Sequence, residues 1–296
     1  MKLIKFNLVL TLIFSVILGM SSAIAETKIN LEDKKSFKDL ELKAGNIKVL
    51  VTYTKQDEPN GENNIFYRIF YGNKQKVKGS VNTYMVGQVF LQDLDNDKNP
   101  EVIVSTFSGG AHCCTEFTIY NWQKKKNNFV KIETGFLNGG GGAFNDLDGD
   151  GQVEFSTVHN GFLYMFSSYA GSFPPLVIMR LENGKFKDVT RQYPKQLREH
   201  LKDMNESFLA AKKEGYEVNG ILAGYVAQKI LLGEYEEGWK FMLANYDRKS
   251  EWGLEIYKND KVVGKYKDFP TALKAFLIDL NYLDKKGNPR KYSHSN

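Results

Sequence analysis

The stretch Asp146-Leu147-Asp148-Gly149-Asp150-Gly151-Gln152-Val153-Glu154 has carboxylates at its first, third, fifth and ninth positions and an amide at its seventh. Calcium takes six to eight oxygens at about 2.3–2.6 Å, and a tight loop with acids at alternate positions turns such a set towards one point. Carboxylates crowded this closely repel one another unless a cation lies between them. The same device stands 53 residues upstream, as Asp93-Leu94-Asp95-Asn96-Asp97-Lys98-Asn99-Pro100-Glu101. Each copy leads into a β-branched or aromatic run, Val102–Phe107 and Val153–Val158. Each is therefore read as a turn between two strands.

Outward from these turns, apolar residues alternate with period two from Asn46 to about Thr190. Ile47, Val49, Val51 and Tyr53 share one face. Further strand runs are expected at Ile65–Tyr71, Val81–Leu91, Phe117–Trp122, Phe162–Phe166 and Leu176–Leu181, separated by Gly, Asn, Asp and Pro clusters. Past Gln192 the period becomes helical. Leu197, Leu201, Met204 and Phe208 line one helix face, a second helix carries Ile221, Leu222 and Tyr225, and a third carries Tyr235, Trp239 and Met242. Gly215 and Gly233 sit where helix C-terminal glycines fall. A hairpin around Asn259-Asp260 and a last helix beginning near Pro270 complete the pattern. The expected class is α+β: an antiparallel β domain over 26–193 followed by a mostly helical domain over 194–296.

The twelfth position separates the acidic loops from an EF-hand, which places a bidentate glutamate there; this chain has Val104 and Thr157. The pattern Asp-x-Asp-x-Asp-Gly-x-x-Glu before a strand resembles instead the calcium loops of FG-GAP or VCBS-type repeats, found in β-propellers. The segments Ser108-Gly109-Gly110-Ala111-His112-Cys113-Cys114 and Lys187-Asp188-Val189-Thr190 also resemble a group of exported bacterial proteins. The resemblance implies calcium bound by Asp146, Asp148, Asp150, Gln152 and Glu154, where the motif is complete. It extends to Asp93, Asp95, Asp97, Asn99 and Glu101, with Lys98 in place of the glycine at a position that usually takes positive φ. The second loop is therefore the one expected to bind first. A whole propeller needs typically four to eight blades, and the β segment is too short for that. A sandwich or an open propeller fragment is expected.

Lys2 and Lys5, the apolar run Leu8–Leu18 and Ala23-Ile24-Ala25 read as a signal peptide with its cut before Glu26. The apolar run is about half the roughly 20 residues that a membrane span needs. Removing 1–25 takes two lysines from 40 basic residues and none from 35 acidic ones, leaving 38 against 35. This near balance, with no basic stripe interleaved with aromatics, argues against nucleic acid as a partner. No transmembrane span is expected after signal cleavage, and the location is expected to be periplasmic or secreted.

Cys113 and Cys114 are the two cysteines. A non-cytoplasmic compartment favours their oxidation. Consecutive Cα atoms across a trans peptide are about 3.8 Å apart, short of the usual 4.4–6.8 Å for a disulfide. The expected Cys113–Cys114 bond is a strained one, beside the first acidic loop; two buried free thiols are the alternative. His112 and Cys113 would point to opposite faces of a strand, while His112 and Cys114 supply two metal ligands where zinc takes four. No catalytic residue is assigned, nor any role to His159, His200 or His294. The glycine run 139–142 lacks the Gly-Lys-Ser/Thr of a phosphate-binding loop. Ala227–Trp239 resembles a single tetratricopeptide hairpin, whereas a stable stack needs about three. The functional expectation is an exported, non-enzymatic calcium-binding module acting on a protein or cell-envelope partner. The alternative is an envelope hydrolase or accessory protein whose catalytic residues the sequence does not disclose.

Overall fold

The alternation at 47–53 folds into a half-buried strand, with Ile47, Val49, Val51 and Tyr53 on its covered face. The structure, a computed structural model, describes residues 27–290 apart from 33, 59, 60 and 139. The expected signal peptide at 1–25, Gly139 and His294 lie outside the described residues.

A short strand β1 (Lys28–Asn30) precedes an antiparallel meander of β2 (Phe37–Ala44), β3 (Ile47–Tyr53), β4 (Ile65–Tyr71) and β5 (Lys74–Val81), which forms the first sheet. The second sheet takes β6 (Gly87–Gln92), β7 (Glu101–Phe107), β8 (Cys113–Gln123), β9 (Asn128–Glu133) and β10 (Leu137–Asn138), with β1 added at the edge beside β6. Its order is β1-β6-β7-β8-β10, and β9 also pairs with β8. The third sheet is β11 (Ala143–Asn145), β12 (Glu154–Val158), β13 (Leu176–Glu182) and β14 (Lys185–Asp188), again antiparallel throughout.

These sheets stack face to face without closing into a barrel. Strand β7 shows why its sequence reads as a continuous apolar run: Val102 and Val104 pack towards the first sheet, and Ile103 between them packs towards the third. A strand covered on both faces loses the apolar–polar alternation. Tyr67 and Tyr120 meet hydroxyl to hydroxyl between the first two sheets, 2.8 Å apart, and Phe117, Phe144 and Phe155 pack edge to face between the second and third.

The C-terminal part holds four helices, α1 (Pro194–Glu214), α2 (Asn219–Leu231), α3 (Tyr235–Asn245) and α4 (Phe269–Asp279), with a hairpin of β15 (Glu255–Lys258) and β16 (Lys261–Lys265) before the last. Gly215 ends α1 in the left-handed conformation, φ 72°, and Asp268 caps α4 by accepting from the Thr271 N–H. Helix α2 is buried nearly all round. Its Gly224 passes so close to the chain that an added Cβ would lie 1.8 Å from the Phe173 carbonyl oxygen. Buried Gln228 ties three elements together, accepting from Leu176 N–H of β13 and donating to the Leu197 carbonyl of α1.

Two strand expectations are corrected. Phe162–Phe166 is no strand: a 3-10 turn spans Asn160–Phe162, and Phe162 and Phe166 insert into the helical core against Phe269, Phe276 and Tyr282. A short apolar run fits a buried turn as well as a strand, and periodicity alone does not separate them. The Val81–Leu91 run is divided, with Val81 closing β5 and β6 starting at Gly87. Buried Asn64 breaks it by pairing with Thr83 in both directions. Strands β2, β5 and β9 were not foreseen; their partly exposed, lysine-bearing sequences carry weak apolar signal.

Candidate metal centre

The two acidic loops occupy equivalent places. The first joins β6 to β7 and the second joins β11 to β12, and in each the ninth-position glutamate opens the following strand, Glu101 paired with Gln92 and Glu154 with Asn145. The positive φ expected at the sixth position is present in both, 71° at Lys98 and 85° at Gly151. Asp93 accepts the N–H groups of Asp97 and Lys98, and Asp146 accepts those of Gly149 and Gly151. Desolvation acts to raise Asp146, but the backbone N–H groups of Gly151, Gly149, Asp148 and Asp150 together hold it below the usual carboxylate range.

Each loop brings together its first, third and ninth carboxylates. Oxygens of Asp93, Asp95 and Glu101 lie within 4.8 Å of one another, as do those of Asp146, Asp148 and Glu154. Asp97 and Asp150 stand outside these groups, each accepting the N–H two residues on, from Asn99 and Gln152 at 2.7 Å. The Asn99 side chain turns to the Asp97 carbonyl. The loops also touch: Val153 N–H donates to the Leu94 carbonyl at 3.2 Å, and Gly151 lies under the Asn96 side chain.

What faces the glutamates differs. Glu101 and Glu154 are both fully buried, and each accepts the N–H of the loop's second residue, Leu94 at 2.7 Å and Leu147 at 3.1 Å. The other oxygen of Glu154 meets Arg180 Nε at 3.0 Å; Arg180 also lies 3.8 Å from Asp150 and donates to the Tyr193 hydroxyl. Arg180 is the residue paired with Glu154 across β12 and β13. In the first loop the corresponding place, one step beyond the Val102–Tyr120 pair, belongs to Asn121. Asn121 is buried and neutral, donating to Glu101 at 2.8 Å and Asp95 at 3.1 Å. Asp95 Oδ1 is buried with no hydrogen-bond partner. Burial pushes Glu101 up to about 8 and raises Asp95 as well, with Asp97 and Asp93 adding repulsion at Asp95. The donor set of the first loop therefore fits a hard cation, and it has an oxygen without a partner.

Asn121, Arg180 and Tyr193 escaped the sequence reading. The signal for Asn121 and Arg180 is a strongly polar residue inside a mostly apolar strand run, Phe117–Trp122 and Leu176–Leu181 respectively.

The cysteine loop lies apart. The peptide Cys113–Cys114 is cis, with Cα atoms 3.0 Å apart and the two sulfurs adjacent, which replaces the trans geometry assumed from sequence. The loop closes on itself through Ser108, whose N–H donates to the Cys114 carbonyl and whose hydroxyl accepts the Cys114 N–H. Gly110 is needed there, because a Cβ would meet the Cys113 carbonyl. His112 turns away to stack on Tyr169, ring centroids 4.1 Å apart. His159 accepts from Gly161 N–H, and His200 bonds the Pro174 carbonyl at 2.9 Å.

The chain is similar to known proteins along most of its length. The sll0997 C-terminal domain family matches residues 197–281. The probable thylakoid lumen protein sll0997 of Synechocystis sp. is 35% identical over 255 residues, which is 82% of this chain and 75% of that protein. The uncharacterized protein y4bJ of Sinorhizobium fredii is 35% identical over 222 residues, 71% of this chain and 35% of that protein. No solved structure matches. The matching family model lies in the helical part, and the resemblance of the acidic loops to calcium-loop repeats is one of sequence motif alone.

Proposed function

This chain belongs to the family of the probable thylakoid lumen protein sll0997, and on that premise we propose that it is an exported, non-enzymatic calcium-binding module acting through a protein or cell-envelope partner. The signal-peptide pattern at 1–25 and the compartment in that relative's name support export. No helix among the described residues is long and apolar enough to cross a membrane. The resemblance to FG-GAP or VCBS-type loops supplies the expectation of calcium. The single observation that carries it is Asp95 Oδ1, buried without a partner beside the fully buried Glu101. A buried charge facing only neutral donors is costly, and a cation among these oxygens removes the cost. Calcium would be held by carboxylates of the acidic loops, and its role would be to stiffen the turns between strands.

A cavity of about 660 Å³ opens between the second sheet and β11, bounded by Phe90, Phe117, Phe144 and Lys28, and among the described residues its lining includes no histidine, cysteine or acid. A hydrolase is expected to gather convergent titratable groups in such a cleft. The test is thermal melting of residues 26–296 in chelator and in millimolar calcium. Occupancy at a hundredfold excess over Kd adds about 2.7 kcal/mol, so calcium is expected to raise the Tm by several degrees and Asp95→Asn to abolish the rise. Equal Tm values in the two buffers would overturn the calcium reading.

A further inference from the structure

We infer that Arg180 takes the place of a metal ion in the second loop, so that the chain holds one divalent cation, in the first loop, although it carries two copies of the motif. The inference rests on the calcium reading and goes beyond it by assigning the loops different roles. The two turns share most of their backbone bonding: the first aspartate accepts the sixth residue's N–H and one other, from the fifth residue in the first loop and the fourth in the second, the ninth glutamate accepts the second residue's N–H, and the glutamate opens the next strand. They differ at the position across from that glutamate. Arg180 brings a full positive charge to 3.0 Å from Glu154 and 3.8 Å from Asp150, and Tyr193 and the strand pairing hold it there. A guanidinium has no acceptor to offer and is always charged. A second cation beside it would meet repulsion at contact range, and the second loop's buried glutamate already has its balancing charge from within.

At the first loop Asn121 brings hydrogen bonds and no charge. Lys98, the basic side chain within that loop, donates to the Asn96 side chain. Asp95 Oδ1 is left buried and unpartnered, which points to an external cation here and not at the second loop. The motif alone ranks the loops the other way, because Gly151 suits the positive φ better than Lys98. Backbone ease and charge balance thus favour different loops. Strain at one left-handed residue costs about 1–2 kcal/mol, whereas an uncompensated buried charge costs several, so the charge decides.

Calorimetric titration of residues 26–296 with calcium chloride after chelator treatment reads the number of ions per chain. One ion is expected for the wild type, one for Asp148→Asn, none for Asp95→Asn and two for Arg180→Gln. Two ions in the wild type, or loss of the ion in Asp148→Asn with retention in Asp95→Asn, would overturn the inference while leaving calcium binding intact. No ion in the wild type would overturn the calcium reading itself. Should Arg180→Gln fail to fold, the Asp148→Asn and Asp95→Asn pair still decides between the loops.

Discussion

Glu101 and Glu154 have the same identity, burial and loop position, yet the residues across from them give opposite consequences for substitution. Glu101→Gln removes a buried carboxyl whose hydrogen-bond donors are neutral and whose neighbours Asp93 and Asp95 repel its charged form, so in chelator the variant is expected to melt at or above the wild type and to lose its response to calcium. Glu154→Gln strips Arg180 of its carboxylate partner. Breaking a buried pair from one side typically costs about 3–5 kcal/mol, and Arg180 keeps some access to solvent, so a loss near the lower end is expected in chelator. Chemical unfolding of both variants measures the contrast; equal losses would show that Arg180 does not balance Glu154. The adjacent sulfurs make a second residue-scale prediction. In a compartment outside the cytoplasm Cys113 and Cys114 are expected to be oxidised, so alkylation of the denatured, unreduced protein should label no thiol. Two labels by mass would show the bond absent. The sequence disclosed these cysteines and eight acids; it did not disclose Asn121 or Arg180, because a strand neighbour across a sheet has no fixed spacing in the chain.

Helix α1 shows what an element owes to its surroundings. Its amphipathic spacing and its terminal Gly215 were legible from sequence, and Leu197, Met204 and Phe208 are its buried residues. His200 on the same helix carried no legible role. It bonds the Pro174 carbonyl through Nε2, which must therefore donate, and packs edge to face on Phe173. Burial lowers its pKa, with the Pro174 contact and Asp203 opposing. A histidine with a depressed pKa contributes stability above its unfolded value of about 6.5, and that contribution is lost as the pH falls through the unfolded value, because only the unfolded chain takes up the proton. The stability difference between wild type and His200→Gln is therefore expected to shrink between pH 7.5 and pH 5.5 in urea titrations. A constant difference would show that the ring titrates alike in both states. The 3-10 turn at Asn160–Phe162 illustrates the converse: an apolar segment without a long period cannot declare its backbone, and its partners declare it instead.

The proposed division at 193/194 places the three stacked sheets before the four helices, but the helical core is completed by Phe162 and Phe166 from the β side of that line. Gln228, Gly224 and Arg191 join the two parts further, Arg191 donating to the last carbonyls of α2 and to that of Arg290. Removing a buried phenylalanine costs about 3–5 kcal/mol. Residues 194–296 alone are therefore expected to lack a cooperative melt, while addition of 159–175 in trans or by fusion restores helical signal in circular dichroism; an isolated 194–296 fragment melting cooperatively would show that its helices need nothing from the β part. The sequence by itself determined the α+β class, the order of strand-rich and helix-rich parts, and the acidic turns with their positive φ, because these depend on residue period and local backbone preference. Only the tertiary structure decided that the sheets stack in three layers, that Phe162 and Phe166 serve the helices, and that one acidic loop carries its own arginine while the other faces an amide. Those outcomes depend on which distant side chains arrive at a buried charge or an uncovered face, and the chain's local pattern does not encode that meeting.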